Sequence, residues 1–468
     1  MDAWRCGMRR PLPAGLEMEF RGGLTEQVTA HAGVALLIEL GRLSGVMATA
    51  ERCLPGKKSL RGLGQGETVE AFVVLSALGG ECPEDFDSLR KDGGLEALLG
   101  YRLPAASTAR QWLDLFHEEA LVAGRPQQGS FIPQESARLA GLGSVEERSI
   151  QAYVVAVKPE RTVTLDVDAH LVESGKETAL VTYEGFRGYQ PLLVTWAESG
   201  LVLAEEFRDG NVPASVHIKD LVDTAYARLP QRADGWQVQV RSDSAAYEQK
   251  ILDHWHARGW RFAVSADMSP QLRREIDGLS EETWHLWTVE KEGVVREWAE
   301  VPYVPSRASE KRDTQPYRYV AIRVRTAQGR LFADGNAVKH FAVVSNDWET
   351  DGQALLKWQR GKAGTVEPVH YVLKDELGAG VYPSAKFGAN AAWLRLQVLT
   401  HNLLELLKAT ALDEEYRHAR PKRLRFAIFT QIGRVVQHAR QRFTRLISAA
   451  WEAVIRPGRW RLGRAVWT

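Results

Sequence analysis

The stretch TVTLDVDAHLVES, residues 162–174, predicts a β-strand with one apolar face and one acidic face. Because successive side chains of a strand point to opposite faces, Asp166 and Asp168 lie on the same face. Two carboxylates near the carboxyl end of an otherwise apolar strand indicate a ligand site. Periodicity alone does not distinguish which of the two acids would be used.

The residues that follow predict a mixed sheet with crossover helices. The predicted elements are strands at 162–169, 191–198 and 201–207, a helix near 215–229, a strand at 236–242, a helix at 246–258 and a strand at 261–266. Three successive strands followed by alternating helices and strands are the order of a ribonuclease-H-like α/β fold.

The rest of the chain divides around this core. Apolar spacing predicts helices between about 24 and 125, a β-rich segment from 267 to 350, and helices after Asp351 to the end. We therefore expect five parts: a helical region over 1–150, the first part of the core over 151–266, a β-rich insertion domain over 267–350, the second part of the core over 351–410, and a basic helical region over 411–468.

Composition narrows the class of protein. A chain of 468 residues is too long for one ordinary core, and its net charge of +1 favours no particular partner. Three widely spaced cysteines without a Cys-x-x-Cys pair predict neither a disulfide framework nor a zinc site. No signal peptide and no membrane-spanning apolar run is evident, so we expect a cytoplasmic protein without membrane contact.

Two segments have features of nucleic-acid binding. Residues 417–464 contain many arginines, including Arg423 and Arg425, and Glu452 as the single acid, which predicts a phosphate-binding surface or else a solvated helical exterior. The segment LPAASTARQWLDLF, residues 103–116, resembles the second helix of a helix-turn-helix, which would present Arg110 and Gln111. Helices capped in this way are also common in proteins that bind no DNA.

A second acid follows the fourth predicted strand. In WQVQVRSDSAAYEQ, residues 236–249, the strand runs directly into Asp243. Ligands collect at the carboxyl ends of strands in open α/β sheets, so Asp168 and Asp243 would lie side by side if the first and fourth strands are neighbours. Two carboxylates held that close repel each other and suit a hard divalent cation. The alternative is that Asp243 only caps a helix.

The segment GTVEPVHYVLKDELGAG, residues 364–380, offers a third acid. Glu367 and Lys374 are seven residues apart and share one helical face, whereas Glu376 falls on the opposite side. Pro368 fits the first turn of a helix, which would place Glu367 at its start. On a face turned to the sheet, the pair would supply a metal ligand and a phosphate contact; a salt-bridged surface helix is the alternative.

Several motifs together resemble one known family. LDVDAHLVES, YEGFRGYQPLL, GLVLAEEFRDGNVPA, RSDSAAYE, FAVSADMSP and KAGTVEPVHYVLKDELGAG are similar, in order, to motifs of bacterial insertion-sequence DDE transposases, in particular the IS thirteen-eighty family, over about residues 20–445. The resemblance implies that Asp168, Asp243 and Glu367 bind two Mg²⁺ ions, which Mn²⁺ could replace. Asp166 remains the alternative to Asp168.

The resemblance also implies a set of DNA contacts. Related families have a Tyr and an Arg upstream of the third acid, but this chain has Arg360 and Ala363 there, so Arg360 or Lys362 could replace them beside Lys374. An insertion-domain tryptophan stacks on a flipped base in related transposases, and Trp298 is our first choice, with Trp284 and Trp287 as alternatives.

The implied activity is cleavage at terminal inverted repeats and joining to target DNA by a homodimer in the bacterial cytoplasm, associated with the nucleoid. The N-terminal helical region would bind the element ends. A nuclease without strand transfer and an inactive, DNA-binding relative are the alternatives.

Overall fold

A computed structural model describes residues 27–56, 62–126, 129–290, 293–305, 316–326, 332, 336–438 and 441–467. Within these residues a mixed sheet of nine strands forms the centre of the protein. The strands, numbered in chain order, are β1 (Thr162–Ala169), β2 (Leu192–Trp196), β3 (Leu201–Glu206), β4 (Gln237–Ser242), β5 (Arg261–Ala266), β6 (His285–Val289), β7 (Val294–Val301), β8 (Arg318–Thr326) and β9 (Val338–Ser345). Their order across the sheet is β6-β7-β8-β9-β5-β4-β1-β2-β3.

Strands β1 to β5 have the order and directions of a ribonuclease-H-like sheet. The first three form an antiparallel meander, and β4 and β5 run parallel to β1. Every strand and helix predicted between residues 162 and 266 is present, with small differences at the ends. The apolar side chains of β1, Val163, Leu165 and Val167, are buried, because helices cover the sheet.

The β-rich segment extends the same sheet. Strands β6 to β9 are antiparallel to one another, and β9 pairs with β5 through Ala342–Ser345 opposite Ala266–Ala263. The insertion is therefore joined to the core by strand pairing between Ala342–Ser345 and Ala263–Ala266.

Helices surround the sheet and form the N-terminal region. Those of seven residues or more are α1 (Ala35–Leu43), α2 (Val46–Cys53), α3 (Gln65–Ala77), α4 (Gly93–Leu99), α5 (Ala106–Asp114), α6 (Ala137–Val157), α7 (Ile218–Ala227), α8 (Gln249–Ala257), α9 (Pro270–Asp277), α10 (Gly352–Arg360), α11 (Ala363–Tyr371), α12 (Phe387–Thr410) and α13 (Arg456–Arg464). Shorter helical turns lie at Ala32–Val34, Pro83–Asp85, Phe86–Leu89, Glu119–Val122, Ser244–Ala246, Glu281–Thr283, Val372–Glu376, Glu414–Tyr416, Pro421–Leu424, Arg425–Phe429, Ser448–Ala450 and Trp451–Ile455.

Helix α12 joins the N-terminal helices to the sheet. All of its residues from 388 to 404 are buried, and it packs against α3, α6 and β3. Its Asn402 side chain accepts from the Val202 amide at 2.9 Å and donates to the Val202 carbonyl at 2.8 Å. The amide thus pairs with backbone groups at the outer edge of β3, which would otherwise be left without partners.

Two short sheets lie outside the core. One contains Val172–Glu173, Leu180–Val181 and Arg187–Tyr189. In the other, strands Gly433–His438 and Gln441–Leu446 form an antiparallel hairpin, and Val28–Thr29 pairs with the first of them. The prediction of helices from Asp351 to the end is therefore wrong at these two strands, which are completed as a sheet by a strand from the opposite end of the chain.

No single helix in the described ranges has the length and apolar content of a membrane span. Residues Ala32–Leu43 and Val46–Cys53 meet those two criteria only when the bent pair is taken together.

Candidate active site

Asp168 and Asp243 lie at the carboxyl ends of two neighbouring strands of the sheet. Strands β1 and β4 are parallel neighbours, with Val167 opposite Ser242, so Asp168 and Asp243 follow at the same level. Asp243 is exposed, and its Oδ1 accepts from the Ala245 amide at 3.0 Å, which caps the turn Ser244–Ala246. The helix-cap interpretation of Asp243 is therefore also observed.

Asp166 lies inside the protein and is fully paired. It is 0% exposed, and Arg241 donates to both of its oxygens, from Nε to Oδ1 at 2.6 Å and from Nη2 to Oδ2 at 2.7 Å. The Thr365 hydroxyl also donates to Oδ2. Arg241 is held further by a bond from Nη1 to the Trp358 carbonyl at 2.7 Å. Both carboxylate oxygens of Asp166 are thus used within the fold.

Asp168 is in contact with Lys362, which directly precedes α11, and with His370 on α11. Lys362 Nζ is 2.6 Å from Oδ1, and His370 Nε2 is 3.1 Å from Oδ2. Burial raises the pKa of the Asp168 carboxyl, but the adjacent His370 and the charge of Lys362 outweigh burial and leave that pKa below its ordinary value. The carboxylate is therefore ionised at neutral pH.

A second histidine lies behind the first. The rings of His170 and His370 are 4.2 Å apart, and burial together with the neighbouring His370 lowers the pKa of His170 well below its ordinary value. His170 is therefore neutral at pH 7. Two histidines near Asp168, His170 just after β1 and His370 on α11, are not among the site residues predicted from the sequence.

Helix α11 carries the third acid and packs against β1. The helix begins at Ala363 and not at Glu367, so the predicted helix start is wrong and Pro368 lies in the helix interior. The cause is a tight connection after α10, in which the amides of Thr365 and Val366 both donate to the Lys362 carbonyl at 3.0 Å. Glu367 is exposed on the side of the helix away from the core.

The predicted ligands are Asp168 on β1, Asp243 after β4 and Glu367 on α11. All three are carboxylates, and carboxylate oxygens are the ligand type that a hard divalent cation prefers. The ammonium group of Lys362 already places a positive charge against Asp168. Within the described ranges, no three His, Cys, Asp or Glu side chains lie close enough together to hold a metal ion. Asp168 and Asp243 are brought to one edge, whereas Glu367 is not gathered with them into a finished ligand set.

The predicted phosphate-contact residues near this edge have different surroundings. Arg360 is exposed and its guanidinium lies 4.7 Å from the centre of the Trp287 ring. Lys374 is exposed, on the turn that continues α11. Lys362 contacts Asp168 as described. Arg360 and Lys374 are thus available to a ligand at the surface.

The three candidate tryptophans all lie on or near the insertion strands. Trp298 is half-buried, packs on the backbone of Gly352, and has its ring centre 4.7 Å from that of His285. The Arg323 guanidinium covers Trp284 at 4.4 Å. Each ring therefore already packs against a protein group.

The remaining predicted DNA contacts lie in the terminal regions. Arg110 and Gln111 are exposed on α5, with Arg110 paired to Glu84. Arg423 is exposed, whereas Arg425 donates to the Glu376 carbonyl, and burial lowers the pKa of its guanidinium. Arg425 is thus tied into the fold.

The pairing of Asp166 with Arg241 had a signal in the sequence. Asp166 and Asp168 are spaced like Arg241 and Asp243, and the structure sets Asp166 opposite Arg241 in the parallel ladder. One position of each strand therefore forms a buried ion pair, and the next position on the same face carries an acid, the partly buried Asp168 or the exposed Asp243.

The model of the family described as Transposase DDE domain group 1 matches residues 14–457. Among solved structures, the cryo-EM structure of the piggyBac transposase synaptic complex with hairpin DNA is similar with a TM-score of 0.39 and 9% sequence identity, covering 79% of this chain and 74% of that chain. A comparison with curated protein sequences gave no match.

Proposed function

Because the chain belongs to the family of transposases with a group 1 DDE domain, we propose that it cuts DNA at the ends of a mobile element and joins the freed 3′-hydroxyl ends to target DNA. The observation that carries this proposal is the position of Asp168 and Asp243, which follow neighbouring parallel strands at one level of the sheet. The motifs quoted above favour the IS thirteen-eighty family within the DDE transposases.

In this proposal Asp168, Asp243 and Glu367 hold the divalent ions, two Mg²⁺ for which Mn²⁺ can substitute. Such ions, when bound, stabilise the charge that develops on the attacking and leaving oxygens of a phosphodiester. The complete pairing of Asp166 with Arg241 supports Asp168 as the ligand from β1. Glu367 must approach the other two acids when the site is assembled.

The chain's own residues orient and shield the reacting groups. Lys362 and His370 keep Asp168 ionised and fix its direction. Lys374 and Arg360, which are both exposed, are the proposed contacts to the phosphates that flank the cleaved bond. Trp298 is the proposed stacking partner of a flipped base, for which its ring would have to leave the Gly352 backbone.

The five parts of the chain have separate proposed tasks. Region 1–150 binds the terminal inverted repeats, with Arg110 and Gln111 on an exposed helix; 151–266 and 351–410 form the catalytic core; 267–350 is the insertion; and 411–468 adds basic contacts through Arg423 and, less directly, Arg425. Cutting two ends in one event requires two protomers, so we propose a homodimer on DNA in the bacterial cytoplasm.

One observation favours a second candidate function. The ammonium group of Lys362 lies 2.6 Å from Asp168 Oδ1 and would compete there with a metal ion, as expected for an inactive relative that only binds DNA. A cleavage assay separates the two functions.

The assay uses a labelled duplex carrying the end of the element that encodes the chain, with Mg²⁺ or Mn²⁺. We expect the wild type to nick this end, and Asp243→Asn and Glu367→Gln to bind the duplex without cutting it. Asp375→Asn, which changes an exposed acid one residue after Lys374, is the matched control and should cut normally. Tight binding without any cut by the wild type would contradict the transposase proposal and support the inactive relative.

A further inference from the structure

The hairpin near the C-terminus has one face packed on the protein and one face exposed. Arg434 pairs with Arg445, and Val435 pairs with Thr444. Val435 is buried, and Val435 and Thr444 line a cavity beneath the hairpin. Because side chains alternate along each strand, the opposed Arg434 and Arg445 lie on the other face, and both are exposed.

The exposed face continues in two apolar side chains. Ile432 precedes the first strand and Ile447 follows the second, each two positions from the arginine of its own strand. They are 57% and 59% exposed. We call Ile432, Arg434, Arg445 and Ile447 the ribbon face.

The hairpin segment contains basic residues and no acidic residue. Residues 433–446 contain four arginines and no acid. Arg434 and Arg445 are both exposed, and two arginines at opposed positions of one face give that face a positive charge suited to an anionic partner.

We propose that the ribbon face is a DNA-binding β-ribbon that enters a groove of the duplex at the element end. The major groove admits a two-stranded ribbon, in which arginine can contact phosphate or guanine and an apolar side chain can contact the thymine methyl group. This inference rests on the proposed function and adds an element that binds DNA outside the catalytic core and outside the N-terminal helices.

The fold gives this ribbon a fixed attachment. Val28 and Thr29 pair with Arg434 and Gly433, so a strand from the N-terminal region forms the edge of the same small sheet. The Thr29 hydroxyl donates to Asp92 at 2.7 Å, and Asp92 caps helix α4. The ribbon is thereby held against the helical region to which we assign recognition of the element ends.

The test compares two variants with a matched control. Arg434→Gln/Arg445→Gln removes both charges, and Ile432→Asn/Ile447→Asn removes the apolar contacts. The control Arg161→Gln/Arg274→Gln removes the same charge from two exposed residues, one directly before β1 and one on α9. Binding is measured over a series of salt concentrations, to a duplex of the element end and to a scrambled duplex of equal composition, and thermal unfolding monitors the fold.

We expect the arginine variant to bind the element end roughly 10-fold more weakly for each arginine lost, and to lower the slope of log affinity against log salt by about 2. The isoleucine variant should keep the salt slope and lose preference for the element end over the scrambled duplex. The control should bind like the wild type, and thermal unfolding should show every variant folded at the temperature of the binding assay.

Unchanged affinity and salt slope in the arginine variant would overturn the inference. Equal DNA binding combined with loss of retention on anionic vesicles would overturn it in favour of a membrane surface. The cleavage assay distinguishes failure of this inference from failure of the proposed function. If the wild type nicks the element end and the arginine variant binds DNA normally, the transposase proposal stands and only the inference about the ribbon face is refuted.

Discussion

Replacing Asp166 by Asn tests whether this acid stabilises the fold or binds metal. The structure gives Asp166 a purely internal role, since it is fully buried and Arg241 occupies both of its oxygens. Asn keeps the size of the side chain but loses the charge and one acceptor oxygen. Arg241, itself only 5% exposed, is then left as a buried cation without its counter-charge.

The size of the effect follows from this burial. Removing one partner of a buried ion pair costs about 3–5 kcal/mol, because the other charge remains desolvated. We therefore expect Asp166→Asn to lower the free energy of unfolding by about that amount. Asp168→Asn should cost less, about 1–2 kcal/mol, because its pair with Lys362 lies between the exposed and the buried cases.

Urea denaturation followed by tryptophan fluorescence measures both variants, and the end-cleavage assay measures their activity. The double variant Asp166→Asn/Arg241→Gln should recover part of the lost stability, because it removes the unpaired cation. Asp168→Asn should remain folded and fail to cut. If Asp166→Asn keeps the wild-type stability and abolishes cutting, our assignment of the two acids is refuted.

Three further predictions concern other parts of the chain. Lys362→Met should tighten Mn²⁺ binding by roughly 5- to 30-fold, because the ion pair of Lys362 with Asp168, worth about 1–2 kcal/mol, no longer competes with the metal. Electron paramagnetic resonance measures this binding, and weaker binding by the variant would contradict the prediction. Burial raises the pKa of Asp209 to about 6, so ionisation of this carboxyl lowers the free energy of unfolding as pH rises from the usual carboxyl range through about 6. Asp209→Asn should abolish this pH-dependent loss of free energy of unfolding, which is on the order of 3 kcal/mol. Urea midpoints measured at both ends of this pH range test the prediction. Gly352→Ala should destabilise the protein by about 1–3 kcal/mol in thermal melts, because the new methyl group overlaps the indole ring packed there, whereas Gly364→Ala, where the added carbon meets nothing within 4 Å, should not.

The position of Asp168 and Asp243 could be foreseen in part because its signals are local. Alternation within single strands predicted β1 and β4, and the expectation that Asp168 lies beside Asp243 depended on these strands being neighbours, which they are in the structure. The choice between Asp166 and Asp168 could not be made in this way, because both share a face. It depends on Arg241, which meets Asp166 only across the strand pair.

Features that depend on distant contacts were not foreseen. The hairpin at residues 433–446 is completed by Val28–Thr29, and local periodicity contains no information about a strand at the other end of the chain. The start of α11 was misplaced because Pro368 is usual in a first turn, whereas here the tight connection at Lys362 begins the helix earlier. The contact of His370 with Asp168 likewise depends on how α11 packs on β1.

The pairing of β9 with β5 affects how this protein can be taken apart. Because the insertion continues the core sheet, removing it would leave β5 as an open edge with unpaired backbone groups along Ala263–Ala266. Such edges recruit strands from other molecules. A shortened chain lacking the insertion would therefore tend to aggregate, and engineering that exchanges this segment between relatives has to preserve its last strand.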